Sequence, residues 1–190
     1  MPEESKRLDA PLLTAPNTPG MMESEREIRY ELPLLRRLES LAYIGMVRHE
    51  TWHVSSHSHD HFELCYIEEG QGWFTIGDVY YTVNPGDLFI TKPGEFHQGA
   101  ARGDLPFRLY YLGFQLDQLR SLVPDFYSIG LNRVRQDENR LVKQICDLVF
   151  QELREQKDHA DLMVQGLFIQ LLASVARTYH DRRHEVEKKP

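Results

Sequence analysis

From about Arg29 to Phe114 the chain alternates short apolar runs with turn residues, and beyond Phe114 its apolar positions recur at helical spacing. The runs YIGMVRHE, TWHVSSH, FELCYIEEG, GWFTIGD, VYYTVNPGD, LFITKPG and FRLYYLGF are each of strand length and rich in β-branched and aromatic residues. Their regular punctuation by Gly, Pro, Asn and Asp predicts a β-sandwich or barrel rather than βαβ units. The clearest hairpin turns are Gly77-Asp78 and Asn84-Pro85-Gly86-Asp87.

In the helical part, Leu116, Leu119 and Val123 share one face of a short helix that Pro124 is expected to stop. Asp137 is a candidate N-cap for ENRLVKQICDLVFQELREQ, with Leu141, Ile145, Leu148 and Leu153 as its apolar stripe. Asp158 and Asp161 precede LMVQGLFIQLLASVARTYH, which is expected to turn Val164, Leu167, Phe168, Leu171, Leu172, Val175 and Tyr179 inward. This last helix is apolar over more than one face. It therefore needs two partners, the barrel and either the rest of the fold or a second copy of the chain.

The first twenty residues carry Pro2, Pro11, Pro16, Pro19 and Gly20, a composition that predicts a flexible arm with Leu8, Leu12 and Leu13 as its apolar groups. The expected organisation is an arm over 1–25, a barrel over 26–115, a helical segment over 116–180 and a charged tail over 181–190. A length of 190 residues suits one domain with a proper core. No uninterrupted apolar run approaches the roughly 20 residues of a membrane helix. The N-terminus lacks the apolar stretch and cleavage site of a secretory signal, so no membrane partner and a cytoplasmic location are expected. Cys65 and Cys146 form no CxxC pair, so neither a disulfide framework nor a thiolate zinc site is indicated. A net charge of −7 with scattered Lys and Arg predicts weak DNA binding by this chain alone.

The candidate chemistry is concentrated in histidines. Five of the nine, His49, His53, His57, His59 and His61, fall close together in sequence. The even separations of His57, His59 and Glu63 would put them on one face of an extended segment. The segment GDLFITKPGEFH brings a further imidazole, His97, beside a tight turn. His57, His59, Glu63 and His97 together make a three-nitrogen, one-oxygen set suited to Fe, Mn, Ni, Cu or Zn. His61 shares the even spacing, and is either a neighbour of that set or turned away by a bulge before Phe62. Alternation from Glu63 also turns Cys65 and Ile67 inward, while Trp73, Thr75, Tyr81 and Tyr111 are candidates for a pocket wall.

These two segments resemble the paired motifs of the cupin superfamily. The first matches at His57, His59, Glu63 and Gly70, and the second at Gly86, Gly94 and His97, with Pro93 displaced by one position and Ala101 in place of the common asparagine. The resemblance implies a mainly β fold: a double-stranded β-helix, or jelly-roll, barrel followed by two or three C-terminal α-helices. From about Leu38 to Tyr179 the chain is also similar to the N-terminal effector-binding and dimerisation domain of AraC-family bacterial transcription regulators. That likeness implies a small-molecule effector, often a sugar, held in the barrel by His57, His59, His61, Glu63, Trp73, Tyr81, His97 and Tyr111. It also implies an arm that folds over the effector and a homodimer through the C-terminal helices. Promoter DNA would be met only through helix-turn-helix units, which are expected to be absent from this chain. Either a divalent Zn, Ni, Mn or Fe sits at His57, His59, Glu63 and His97 as cofactor, or these residues hydrogen-bond the effector directly, or they form a polar floor without metal. The alternative is a single-domain metal-dependent cupin enzyme, a dioxygenase or isomerase, built on the same four ligands. The long helical C-terminus favours the sensor.

Overall fold

A computed structural model describes residues 27–31, 40–103 and 106–180. The arm with its leucines, most of the link into the barrel and the charged tail lie outside the described residues. Among the described residues, ten antiparallel strands form two sheets. The larger is ordered β1 (Glu27–Glu31), β2 (Leu41–His49), β9 (Phe107–Phe114), β4 (Phe62–Glu69), β7 (Asp87–Thr91) and β10 (Arg135–Gln136). The smaller is ordered β3 (His53–His57), β8 (His97–Arg102), β5 (Gln71–Ile76) and β6 (Val79–Val83).

The period-2 pattern of the central strands sorts side chains into two cores. On β4, Cys65 and Ile67 face the space between the sheets, joined there by Phe74, Phe89, Phe107, Leu109 and Tyr111. The alternate residues Phe62, Leu64 and Tyr66 face outward into a second core completed by the helices. Burial on both faces is why β4 and β9 read as nearly continuous apolar runs.

Strand β8, HQGAAR, carries little apolar signal because its neighbour supplies the bulk: a Cβ at Gly99 would meet the Phe74 ring at 2.6 Å. Strand β10 arises inside the helical stretch and pairs with β7 through Arg135↔Leu88 and Gln136↔Asp87. At the Asn84–Asp87 turn, Gly86 has φ +89°, a conformation that costs a residue with a Cβ.

The helices correct three expectations. After a 3-10 turn at Arg120–Leu122, α1 (Val123–Tyr127) begins at Val123, so Pro124 starts a helix rather than stopping one. Proline fits a first turn, where its missing N–H is not needed. Helix α2 (Leu141–Glu155) buries Val142, Ile145, Cys146, Val149 and Leu153, while Leu141 and Leu148 face outward. Two apolar stripes overlap on this helix, and polar contacts select between them. Tyr110 donates to Asp147 at 2.7 Å, and Lys143 Nζ lies 3.2 Å from Glu68 and 2.6 Å from Asp147, turning that side to the sheet. Asp137 caps α2 from upstream, accepting the Lys143 N–H at 3.1 Å, while Arg140 holds the N-cap position.

Helix α3 (Ala160–His180) buries Val164, Phe168, Leu171, Leu172, Val175 and Tyr179. Leu167 is only partly buried, and Leu162, Met163 and Ile169 are exposed. By length and composition α3 would admit a membrane span, but its inward side is spent on the core beneath the large sheet.

Candidate functional site

The site forms where the chain crosses between sheets. His57 ends β3, His59 lies in the following loop, Glu63 is the second residue of β4, and His97 opens β8. The residues therefore do not share one face of one extended segment. They gather because β3 and β4 belong to different sheets and β3 pairs with β8, setting His57 opposite His97. One ring nitrogen from each of His57, His59 and His97 lies within 4.8 Å of the others.

Backbone carbonyls orient all three rings. The Nδ1 of His57 is 2.8 Å from the Ser55 carbonyl, that of His59 is 2.8 Å from the His61 carbonyl, and that of His97 is 3.0 Å from the Glu95 carbonyl. A carbonyl only accepts, so each Nδ1 carries a proton, and it is the Nε2 of each ring that is left to serve as a ligand atom once deprotonated. The Nε2 atoms of His59 and His97 are buried without a hydrogen-bond partner among the described residues. Glu63 Oε2 stands 3.4 Å from His97 Nε2 and 3.7 Å from His59 Nε2, ion-pair separations too long for strong hydrogen bonds. Orphaned acceptors, carbonyl-bound Nδ1 protons and an adjacent carboxylate are a donor set that a divalent transition metal fits.

The electrostatics agree with concentrated charge. Burial works hardest against ionising Glu63, yet the contacts from His59 and His97 outweigh it and hold the carboxyl below the ordinary range. For His59, burial lowers the pKa, but Glu63 more than compensates and the net direction is upward. Burial, then the Glu63 charge, drive the Tyr43 phenol far above its usual value, so it remains a donor.

Around this set lie Tyr43, Glu27 and Arg29, which sequence reasoning missed, together with His61 and Tyr111, which it named. Tyr43 donates to Glu63 Oε1 at 2.8 Å, and His61 Nε2 sits 2.8 Å from the same hydroxyl. The His61 ring stacks on His59 at 4.1 Å, which makes it a neighbour of the donor set, not a member. The Tyr43 ring lies across Gly113 and the Tyr111 ring across Gly45, positions where a Cβ would stand 2.3 and 2.1 Å from ring atoms. Tyr111 donates to Glu27 on β1, and the Arg29 guanidinium lies 3.9 Å from the Tyr43 ring centroid. The inward alternation of Tyr43, Gly45 and Val47 was a usable signal for Tyr43. Nothing local marks Glu27 or Arg29.

Trp73 and Thr75 are not pocket walls. Phe74 and Ile76 take the inward positions of β5, and Trp73 stacks instead on exposed Tyr80 at 5.7 Å on the outer face of the small sheet. Tyr81 packs partly against the inner core but gives its hydroxyl to the Leu131 carbonyl at 2.7 Å. Cys65 is buried, and burial pushes its thiol well above the ordinary range, as for an unreactive core cysteine. His49 bonds Thr51, and His53 is exposed on β3.

A family model described as "AraC-like ligand binding domain" matches residues 43–172. Two Bacillus subtilis (strain 168) proteins are similar over shorter stretches. The uncharacterized HTH-type transcriptional regulator YfiF is 31% identical over 65 residues, covering 34% of this chain and 20% of that protein. The uncharacterized HTH-type transcriptional regulator YbfI is 38% identical over 42 residues, covering 22% of this chain and 15% of that protein. The matched stretches thus span a fifth or less of the regulators' own length. Among solved structures, a cupin superfamily protein from Desulfitobacterium hafniense DCB-2 aligns with TM-score 0.39 and 16% identity over 47% of this chain and 78% of its own. Bacillus subtilis oxalate decarboxylase, described for its Mn(II) centres, aligns with TM-score 0.40 and 21% identity over 55% and 33%.

Proposed function

The chain belongs to the AraC-like ligand binding domain family, and from that premise we propose that it is the effector-sensing part of a cytoplasmic transcription regulator. The observation that carries this reading is the set of three converging imidazoles, two of them, His59 and His97, with buried, unpartnered Nε2 atoms, set in the barrel beside Glu63. His57, His59 and His97 would hold a divalent transition metal with Glu63 as the fourth ligand. When bound, the metal would supply an open coordination position for an oxygen of the effector. Tyr43, Tyr111 and His61 would border the effector, a small polar molecule such as a sugar, with Tyr81 further along the wall.

Elemental analysis of protein purified without chelator tests the metal. A stoichiometric transition metal is expected, and it should vanish in the double variant His57→Ala, His97→Ala. No metal in the unmutated protein removes this part. Effectors are tested by thermal unfolding with a panel of small polar compounds. A true effector at about 100 times its Kd adds about 2.7 kcal/mol of stability.

The outer face of α3 supports a homodimer. Leu162 and Ile169 are exposed there, with exposed Gly166 between them, an apolar stripe at helical spacing. Effector binding would then alter how two copies pair, and through them the presentation of a DNA-binding part. Light scattering after gel filtration should find a dimer that Ile169→Lys converts to a monomer. A strict monomer of the unmutated chain at tens of micromolar would end the dimer reading.

The family and the regulator relatives favour sensing over catalysis. Promoter DNA is assigned to a helix-turn-helix part outside the described residues.

A further inference from the structure

The turn before His97 has a second attachment that the histidine site does not use. Glu95 accepts His97 through its carbonyl, while its carboxylate accepts the Lys92 backbone N–H at 2.8 Å. That carboxylate also takes both ends of the Arg133 guanidinium, at 2.8 and 2.5 Å. Arg133 is only 7% exposed. Two more of its N–H groups go to the Ile90 and Gly130 carbonyls, each at 2.8 Å. Its own carbonyl accepts the hydroxyl of buried Tyr179 at 2.5 Å, near the C-terminal end of α3.

An ion pair with one buried partner is an inefficient way to gain stability, because desolvation consumes much of the attraction. What a guanidinium bonded through four of its five N–H groups, two of them to one carboxylate, does provide is one defined geometry. Here that geometry joins two places far apart in sequence, the turn that aims His97 and the C-terminal end of α3. Parallel contacts brace the same joint. Lys92 Nζ donates to the Tyr127 carbonyl at 2.8 Å, His180 pairs with Asp125 on α1 at 2.8 Å, and Arg135 lies over the Tyr179 ring.

We propose that Arg133 is a positioning residue that couples the state of the histidine site to the end of α3, through Glu95 on one side and Tyr179 on the other. This rests on the sensing role proposed above and names the route by which it reaches the helices.

A double-mutant cycle read by hydrogen exchange over residues 174–180 tests the coupling without any ligand. His97→Ala should raise exchange there by about 2- to 30-fold, the range such couplings span. The same change made in the Arg133→Met background should add nothing to that background. Should Arg133→Met fail to fold, Tyr179→Phe, which deletes only the hydroxyl, must abolish the coupling in its place. Strictly additive effects of the two substitutions overturn the proposal.

A second arm uses Co(II) as the probe. Saturating Co(II) should protect residues 174–180 in the unmutated chain and leave them unchanged in Arg133→Met. Protection that survives the substitution also overturns the proposal. Failure of the unmutated chain to bind Co(II) removes the metal reading alone, since the cycle decides the coupling independently.

Discussion

The two sheets share an inner core and differ in what lies outside them. The six-stranded sheet is covered by α2 and α3, so Leu64, Leu88, Ile90 and Phe114 on its outer face are as buried as anything within the barrel. The four-stranded sheet leaves Trp73 half-buried and Tyr80 exposed on its outer side. The covered sheet connects the site to the helices, because β4 carries Glu63 inward and Phe62 and Leu64 outward. The bare sheet contributes His57 and His97 from the paired edges of β3 and β8, and its outward aromatics are surface. The histidine site thus draws on both sheets, while the large sheet is the one packed against α2 and α3.

The contrast can be broken in steps of decreasing size. Phe168→Ala removes a ring 5.9 Å from Phe114 under the large sheet, where it is 1% exposed. It should destabilise the fold by about 3–5 kcal/mol in denaturant titration. A smaller loss would mean that the helical layer is not integral to the fold. Gly113→Ala works on the inner side of the same sheet by driving a methyl into the Tyr43 ring. An expected loss of about 1–3 kcal/mol in thermal unfolding measures that overpacking. Metal content should fall with it if the Tyr43–Glu63 bond helps to place the carboxylate. Trp73→Ala strips the bare face of the small sheet and forfeits mainly its stacking on Tyr80, so its cost should stay near about 0.5–1.5 kcal/mol. A Trp73 effect as large as that of Phe168 would show that the outer face of the small sheet is covered in the functional assembly.

Much of this architecture was legible from residue order. The strand-length runs fall within a few residues of β2 to β7 and β9, and the inward course of Glu63, Cys65 and Ile67 follows directly from alternation. The same rule failed at Trp73 because β5 turns Phe74 and Ile76 inward, and a one-residue shift of phase reverses every face. On α2 the stripe was misread because Leu141 and Leu148 compete with Val142, Cys146 and Val149. Only Tyr110 and Glu68, distant in sequence, choose between them. Strand β10 was invisible because two residues have no periodicity to detect.

The candidate site divides in the same way. Residue order alone singled out His57, His59, Glu63 and His97 as the candidate donor set, because their motif spacing is a property of the chain. It also determined a barrel followed by helices, because periods of 2 and 3.6 are set by backbone geometry within a few residues. Only the tertiary structure decided that the imidazoles converge across a junction between sheets. It alone supplied Tyr43, Glu27 and Arg29 around them, and set Arg133 between the His97 turn and Tyr179. Those contacts depend on strand order and register, which bring together residues that no local pattern relates.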